Sequence, residues 1–395
     1  MQQYLTDNLY ILETENYGEQ LLAKNIKKIF AEFKVSEKIS AGDRVLMKVN
    51  LLMGKDPSRA VSTHPAVIRA VAGEIKSLGA RPVLADSPGG PFNRTALKLA
   101  YSKSGYTADA EQGLYELNYN TESFYDKLEA GQRGKSFELC SYLKDADFII
   151  NLPKLKTHGL TLYTGAVKNL FGVVPGTVKA EYHFKMPKVR DFCQLLLDIA
   201  ELAAPDLTIM DAVTGMEGDG PSSGSPRDFE LMLATGDIFE LDLLVSWLLR
   251  GDLSYLKDPL PEAIISRFNH PGGLSAYEQY RKENFFKEEI PDWLTERFKE
   301  VSLPDIDRTA NLLDKKLPDF LNRFVTRLLR PRPIFTLKCI GCGICEENCP
   351  PQVITIEQRQ ARAELKGCIR CFCCQELCPH EAVEIEKPLL GRLFF

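Results

Sequence analysis

No apolar run approaches the roughly 18 residues that a membrane-spanning helix needs, and the opening stretch MQQYLTDNLYILETENYGEQ lacks the charged-then-apolar order of a secretory signal. No transmembrane segment is therefore expected, and the expected location is the cytoplasm. Long basic blocks are missing as well. With a net charge of −5 and its lysines and arginines scattered, the chain is expected to bind no nucleic acid and to show no wholesale attraction to anionic lipid. No G-x-G-x-x-G leads from a strand into a helix, and neither G-x-x-x-x-G-K-S/T nor H-E-x-x-H occurs, so a dinucleotide site, a phosphate-binding P-loop and a zinc-protease helix have no support. Cysteine is nearly absent before residue 339, where only Cys140 and Cys193 occur. Disulfide staples would be spread through the fold that needs them, so this distribution argues against a secreted scaffold and for metal ligation in a reducing compartment.

What is present is an ordinary globular balance, 44% hydrophobic and 26% charged over 395 residues, enough for two or three domains. VLMKVNL (45–51) reads as a buried strand, PAVIRAVAGEIKSLGA from Pro65 as a helix with proline at its start and glycine near its end, and PVLAD (82–86) as the next strand. That is a βαβ unit, which implies a parallel sheet with a right-handed crossover. ADFIINL (146–152), DLTIMDAV (206–213) and LMLATG (231–236) continue the alternation, and the last leads into the apolar helix FELDLLVSWLLRG. The spacing predicts an α/β, mostly parallel layered domain over residues 1–250. A helical subdomain and linker is expected over 251–333, and a small α+β domain over 334–395. From Leu317 to Leu329 a basic amphipathic helix is expected to pack on its own protein.

Several predicted strands end in a polar residue before a loop rich in Gly, Pro, Lys or Thr. These are Asn50, Asp86 before SPGG, Asn151 before LPKLKTHG, and Asp211 before AVTGMEGDGP. In open parallel sheets the ligand crevice lies at the carboxyl ends of the strands, so these loops are expected to gather at one sheet edge. Lys154, Lys156, His158, Lys168 and Asn169, with nearby glycines, would offer ammonium and backbone N–H groups to an anion or an unidentified organic cofactor. Asp86, Asp211 and Glu217 would complete the rim. His64, His158 and His183 are the histidines placed for chemistry, each with a structural alternative.

The C-terminal segment repeats itself at 29 residues: CIGCGICEENCPPQVITIE from Cys339 matches CIRCFCCQELCPHEAVEIE from Cys368. Each half is C-x2-C-x2-C-x3-C-P, and the pair closely resembles the bacterial two-cluster ferredoxins. That resemblance implies two 4Fe-4S clusters. Cys339, Cys342, Cys345 and Cys378 would hold one, and Cys368, Cys371, Cys374 and Cys349 the other, each fourth cysteine crossing to its neighbour's site. Cys373 is surplus and stands opposite Ile344, a packing position.

MKVNLL, STHPAVIRAVAGEIKSLGA, NLPKLKTHGLTLYTGAVKNLFGVVPG and MDAVTGMEGDGPSSGSPR resemble the prokaryotic family of domain of unknown function 362, whose members often carry a ferredoxin tail. The resemblance implies an architecture and no settled reaction. Three functions are expected from these features. The first is an electron-transfer protein passing low-potential electrons to or from the α/β domain or a redox partner protein. The second is an iron–sulfur oxidoreductase with a small anionic ligand at the sheet edge. The third is a scaffold or maturation factor whose clusters are structural.

Overall fold

The stretch Arg44–Val49 (β3) is a strand whose alternate residues serve two apolar layers: Val45, Met47 and Val49 face one, Leu46 the other. Pro65–Ser77 (α2) begins where His64 supplies the N-cap, its Nδ1 accepting from Ala66 N at 3.2 Å, with proline in the first turn where no partner is needed for its missing N–H. The helix buries Val67, Ile68, Val71, Ala72 and Ile75 along one face. Each of the large aliphatics there contributes about 1.5–3 kcal/mol of burial. Arg81–Ala85 (β4) returns parallel to β3, as the sequence implied.

The computed structural model describes residues 2–6, 9–267, 290–304 and 331–386; the helix expected over 317–329 lies outside them. The remaining strands of the large sheet are Gln2–Thr6 (β1), Leu9–Glu13 (β2), Glu116–Leu117 (β5), Phe148–Leu152 (β8), Lys154–His158 (β9), Leu162–Thr164 (β10), Leu207–Glu217 (β11) and Ser225–Thr235 (β12). Their order is β1-β2-β12-β11-β8-β3-β4-β5, with β9 pairing β11 and β10. The centre is parallel, through β11, β8, β3, β4 and β5. LMLATG instead belongs to β12, which runs antiparallel to β11 and to β2. The chain turns back through a hairpin there because no crossover helix separates β11 from β12. A small hairpin, Ser123–Lys127 (β6) with Ser136–Cys140 (β7), stands apart.

Helices cover both faces. Glu19–Glu32 (α1), α2 and Arg94–Lys103 (α3) pack one side. Val189–Ala203 (α6), Ile238–Arg250 (α7) and Pro259–Arg267 (α8) pack the other, where Leu260, Ala263, Ile264 and Ile265 join the same core as Leu196 and Leu248. The large core therefore continues past residue 250. Two short elements precede α6: Ala166–Asn169 (α4) and Gly176–Lys185 (α5).

The C-terminal module holds Arg332–Phe335 (β13) paired with Val383–Glu386 (β16), and Ile354–Glu357 (β14) paired with Gln360–Ala363 (β15). Its duplicated halves keep one backbone. Gly341 and Gly343 have φ of +69° and +83°, and their counterparts Arg370 and Phe372 adopt +59° and +60°, a region that favours glycine. The turn geometry is thus held even where the second half carries side chains.

Candidate functional site

The stretch read as a loop, LPKLKTHG, is mostly strand: Lys154, Lys156 and His158 lie on one side of β9 at the two-residue period, and all three are buried. Each finds a different partner. Lys154 Nζ donates to Asp211 Oδ2 and to Tyr17 Oη, both at 2.8 Å. Tyr17 in turn donates to Asp211 Oδ1 at 3.0 Å and stacks on His64 at 3.6 Å between ring centres. Lys154 and Asp211 neutralise one another, which takes this lysine out of any anion site. Glu217, at the end of β11, pairs with Arg227 at 3.1 Å and accepts from Ser302 N at 3.0 Å. It faces away from the other candidates.

Lys156 Nζ donates to Val61 O at 2.6 Å and has no carboxylate on it. Burial, then the neighbouring charge of Lys168, pushes its ammonium down to about 7. His158 accepts from Leu160 N through Nδ1 at 3.0 Å, which leaves the proton on Nε2, 3.0 Å from Glu376 Oε1. Burial pushes this imidazole down to about 4, so it is neutral. Burial also works to raise the Glu376 carboxyl, but His158, Lys168 and His183 more than offset it and hold it ionised, below the usual carboxylate range.

Asp86 stands at the carboxyl end of β4. It accepts from Leu51 N at 2.6 Å and Ser87 N at 2.7 Å, and lies 3.0 Å from the fully buried Lys48 ammonium. Gly172 is required beside this pair, because a Cβ there would run into the Asp86 carboxylate and the Lys48 ammonium. Next to it a side-chain amide ladder ties strand ends to α4. Asn50 Nδ2 donates to Asn169 Oδ1 at 2.9 Å, Asn169 Nδ2 to Asn151 Oδ1 at 2.7 Å, and Asn151 Nδ2 to Thr208 Oγ1 at 3.3 Å. Asp242 from α7 fixes the other end of α4, accepting from Ala166 N at 2.7 Å and Val167 N at 3.0 Å. That arrangement presents Lys168, which makes no hydrogen bond or ion pair with any other described residue.

A cavity of about 90 Å³ opens here, and its walls come from both parts of the chain. Asp86, Lys156, Lys168 and Asn169 line it, and β9 places His158 beside it through Glu376. Lys179 and His183 line it from one face of α5, four residues apart. Lys179 donates to Ser87 O, and burial pushes it down to about 8. His183 stacks on Phe192 at 4.3 Å and is pushed down to about 4, again by burial. Asn348, Cys373, Glu376 and Leu377 close the cavity from the module. Leu377 sits against Gly89, where any side chain would collide with it. Lys55 and Arg59 hold Glu381 at 3.0 and 2.9 Å, and Ser222 Oγ donates to Gln375 O at 3.4 Å, which seats the module against the sheet's carboxyl edge.

Within the module the cysteines lie close to one another. Cys339, Cys342 and Cys378 surround Cys345, whereas Cys371, Cys368, Cys345 and Cys349 surround Cys374. Backbone N–H groups reach several sulfurs, among them Ala361 N to Cys339 Sγ at 3.3 Å, Val353 N to Cys349 Sγ at 3.5 Å, and Ala382 N to Cys378 Sγ at 3.3 Å. Among the described residues, no group of three or more His, Cys, Asp or Glu side chains converges as a site for a single metal ion. Cys342 is exposed, while Cys373 is 7% exposed and contacts Cys371.

Residues 45–246 match the family model described as "Domain of unknown function (DUF362)", and residues 338–382 match "4Fe-4S dicluster domain". A relative, the "Thylakoid-associated protein sll1697" of Synechocystis sp., is 33% identical over 256 residues, covering 63% of this chain and 76% of that protein. Among solved structures, the lactate racemase apoprotein from Thermoanaerobacterium thermosaccharolyticum aligns at 12% identity with a TM-score of 0.38, over 59% of this chain and 55% of that one. The dicluster match supports iron–sulfur cluster binding and electron transfer. No described helix is long and apolar enough to cross a membrane.

Proposed function

The chain belongs to the family of domain of unknown function 362, and on that premise we propose that it is an iron–sulfur electron carrier exchanging low-potential electrons with an acceptor bound in the cavity between the sheet and the module. Two 4Fe-4S clusters would supply one-electron storage and transfer. Cys339, Cys342, Cys345 and Cys378 would hold one, and Cys368, Cys371, Cys374 and Cys349 the other. Cys378 lies near Cys345 and Cys349 near Cys374, which supports the crossing of each fourth cysteine, and the amide donors on Cys339, Cys349 and Cys378 suit thiolates that carry negative charge.

The observation that carries the reading is the composition of the cavity wall. Cys373, between the proposed ligands Cys371 and Cys374, faces the same space as Lys156, Lys168 and Lys179. An acceptor held there would stand beside the second cluster. A redox partner protein would dock near Cys342, which is exposed, as are Leu337 and Ile340 shortly before it in the chain at 96% and 49%. Eleven cysteines with no disulfide among the described residues fit a reducing compartment such as the cytoplasm.

Iron and sulfide analysis of anaerobically purified protein, with a reductive titration followed by EPR, tests the reading. About eight irons per chain and two reducible signals are expected. Fewer than about four irons, or clusters that no low-potential reductant reduces, would leave only a structural role for the module.

A further inference from the structure

Three features of the cavity define what fits inside it. Its volume is about 90 Å³, room for roughly six to nine water-sized groups. Its wall is rich in amines: Lys48 answers Asp86 at 3.0 Å, and Lys156, Lys168 and Lys179 share the lining with one further carboxylate, Glu376, whose Oε1 lies 3.0 Å from His158 Nε2. Its wall also carries an unpaired donor. Ser87 is 1% exposed and lines the cavity, yet its Oγ has no hydrogen-bond partner among the described residues. A buried hydroxyl left without a partner is costly unless something occupies the space beside it.

We propose that this cavity binds a small oxyanion, a phosphate-type ion or a carboxylate of a few carbons, with Lys168 and Lys179 on its oxygens, Ser87 Oγ donating from the wall and Lys156 beneath. This rests on the electron-carrier reading and qualifies it: a phosphate-type ion takes no electron from a low-potential cluster and would bind beside the transfer path, and only a reducible carboxylate would itself be the acceptor. Lys168 is the cavity cation with no partner among the described residues and contributes the largest share of the recognition. The i, i+4 placement of Lys179 and His183 on α5 gives the anion a second, preset wall. Cys373 and Glu376 bound the anion on the module side.

Anaerobic titration calorimetry on the full cluster-loaded chain, with inorganic phosphate and with acetate in separate runs and adenosine monophosphate as the oversized control, tests the proposal. One-site binding of phosphate or acetate is expected, with no binding of the nucleotide, and a preference between the two names the source of the oxyanion. Lys168→Gln is expected to weaken that binding roughly 10- to 100-fold, and Ser87→Ala to weaken it by less. Lys179→Gln serves as the second variant should Lys168→Gln lower the yield of folded protein. No binding of either small anion, or binding that neither lysine variant changes, overturns the proposal. Cluster reduction followed by EPR in the same preparations separates the two ideas, since reducible clusters without anion binding sink only the oxyanion site. Anion binding beside irreducible clusters sinks only the electron-transfer reading.

Discussion

Replacing Lys156 by methionine tests whether the cavity holds a lysine against the protein's own stability. The side chain is 1% exposed, its Nζ has Val61 O as acceptor, and burial with the nearby Lys168 charge lowers it from 10.5 to about 7. Between those two values the unfolded chain binds more protons at this group than the folded one, so stability rises with pH across that window. Below about 7 the folded protein bears the full cost of a buried ammonium, and above about 10.5 it bears none. Each tenfold change in a protonation equilibrium is worth about 1.4 kcal/mol, so the cost is on the order of 4 kcal/mol near neutrality and about 2 kcal/mol at pH 9. Methionine has a similar length and no charge, so Lys156→Met is expected to be more stable than the native chain near pH 7. Its advantage should shrink by about 2 kcal/mol toward pH 9, a change of roughly 2–3 °C in the Tm difference. Differential scanning calorimetry of both cluster-loaded proteins at the two pH values reads this directly. An advantage that stays constant with pH, or a variant less stable at neutrality, would show that Lys156 is charged and well solvated, and the account of the cavity would fail.

Cys374→Ala is expected to cost one cluster, leaving about four irons per chain, whereas Cys373→Ala keeps about eight; iron analysis and EPR distinguish them. Gly172→Ala forces a methyl against the Asp86 carboxylate and the Lys48 ammonium and is expected to lower stability by about 1–3 kcal/mol in a thermal melt. Asp211→Asn strands the buried Lys154 ammonium and is expected to destabilise by about 3–5 kcal/mol. Adding Lys154→Met should return much of that loss, and additive penalties in the double variant would argue against the pairing.

How much of the fold and the site is legible in the sequence follows from where each partner lies. The βαβ unit through Pro65–Ser77 is readable because proline, periodicity and strand composition are local signals. The duplicated cysteine run is readable for the same reason. LPKLKTHG is not, since its lysines and histidine are answered by Asp211, Val61 and Glu376, all remote in the chain. Without those partners the stretch has the look of a solvated loop. Glu217 reads as a companion of the lysines because the glycines after it suggest a loop at the sheet edge, but β11 runs on to residue 217 and delivers it to Arg227. Lys179 and the module's Glu376 carry no such signal, because nothing in a helix or a cluster-binding turn announces which surface it will face.

The amide ladder from Asn50 through Asn169 and Asn151 to Thr208 fastens the turn that carries Lys168 to the ends of β3, β8 and β11. The floor of the cavity is thus set before any guest arrives, and the entropy of ordering it is spent during folding rather than on capture. Adjustment to a guest is left to the module side, which meets the sheet through a handful of hydrogen bonds and ion pairs in place of a shared apolar core. A ligand arriving there meets one stiff wall and one compliant wall, so the strength of capture and the distance from the bound anion to the cysteine turns are governed by different parts of the chain.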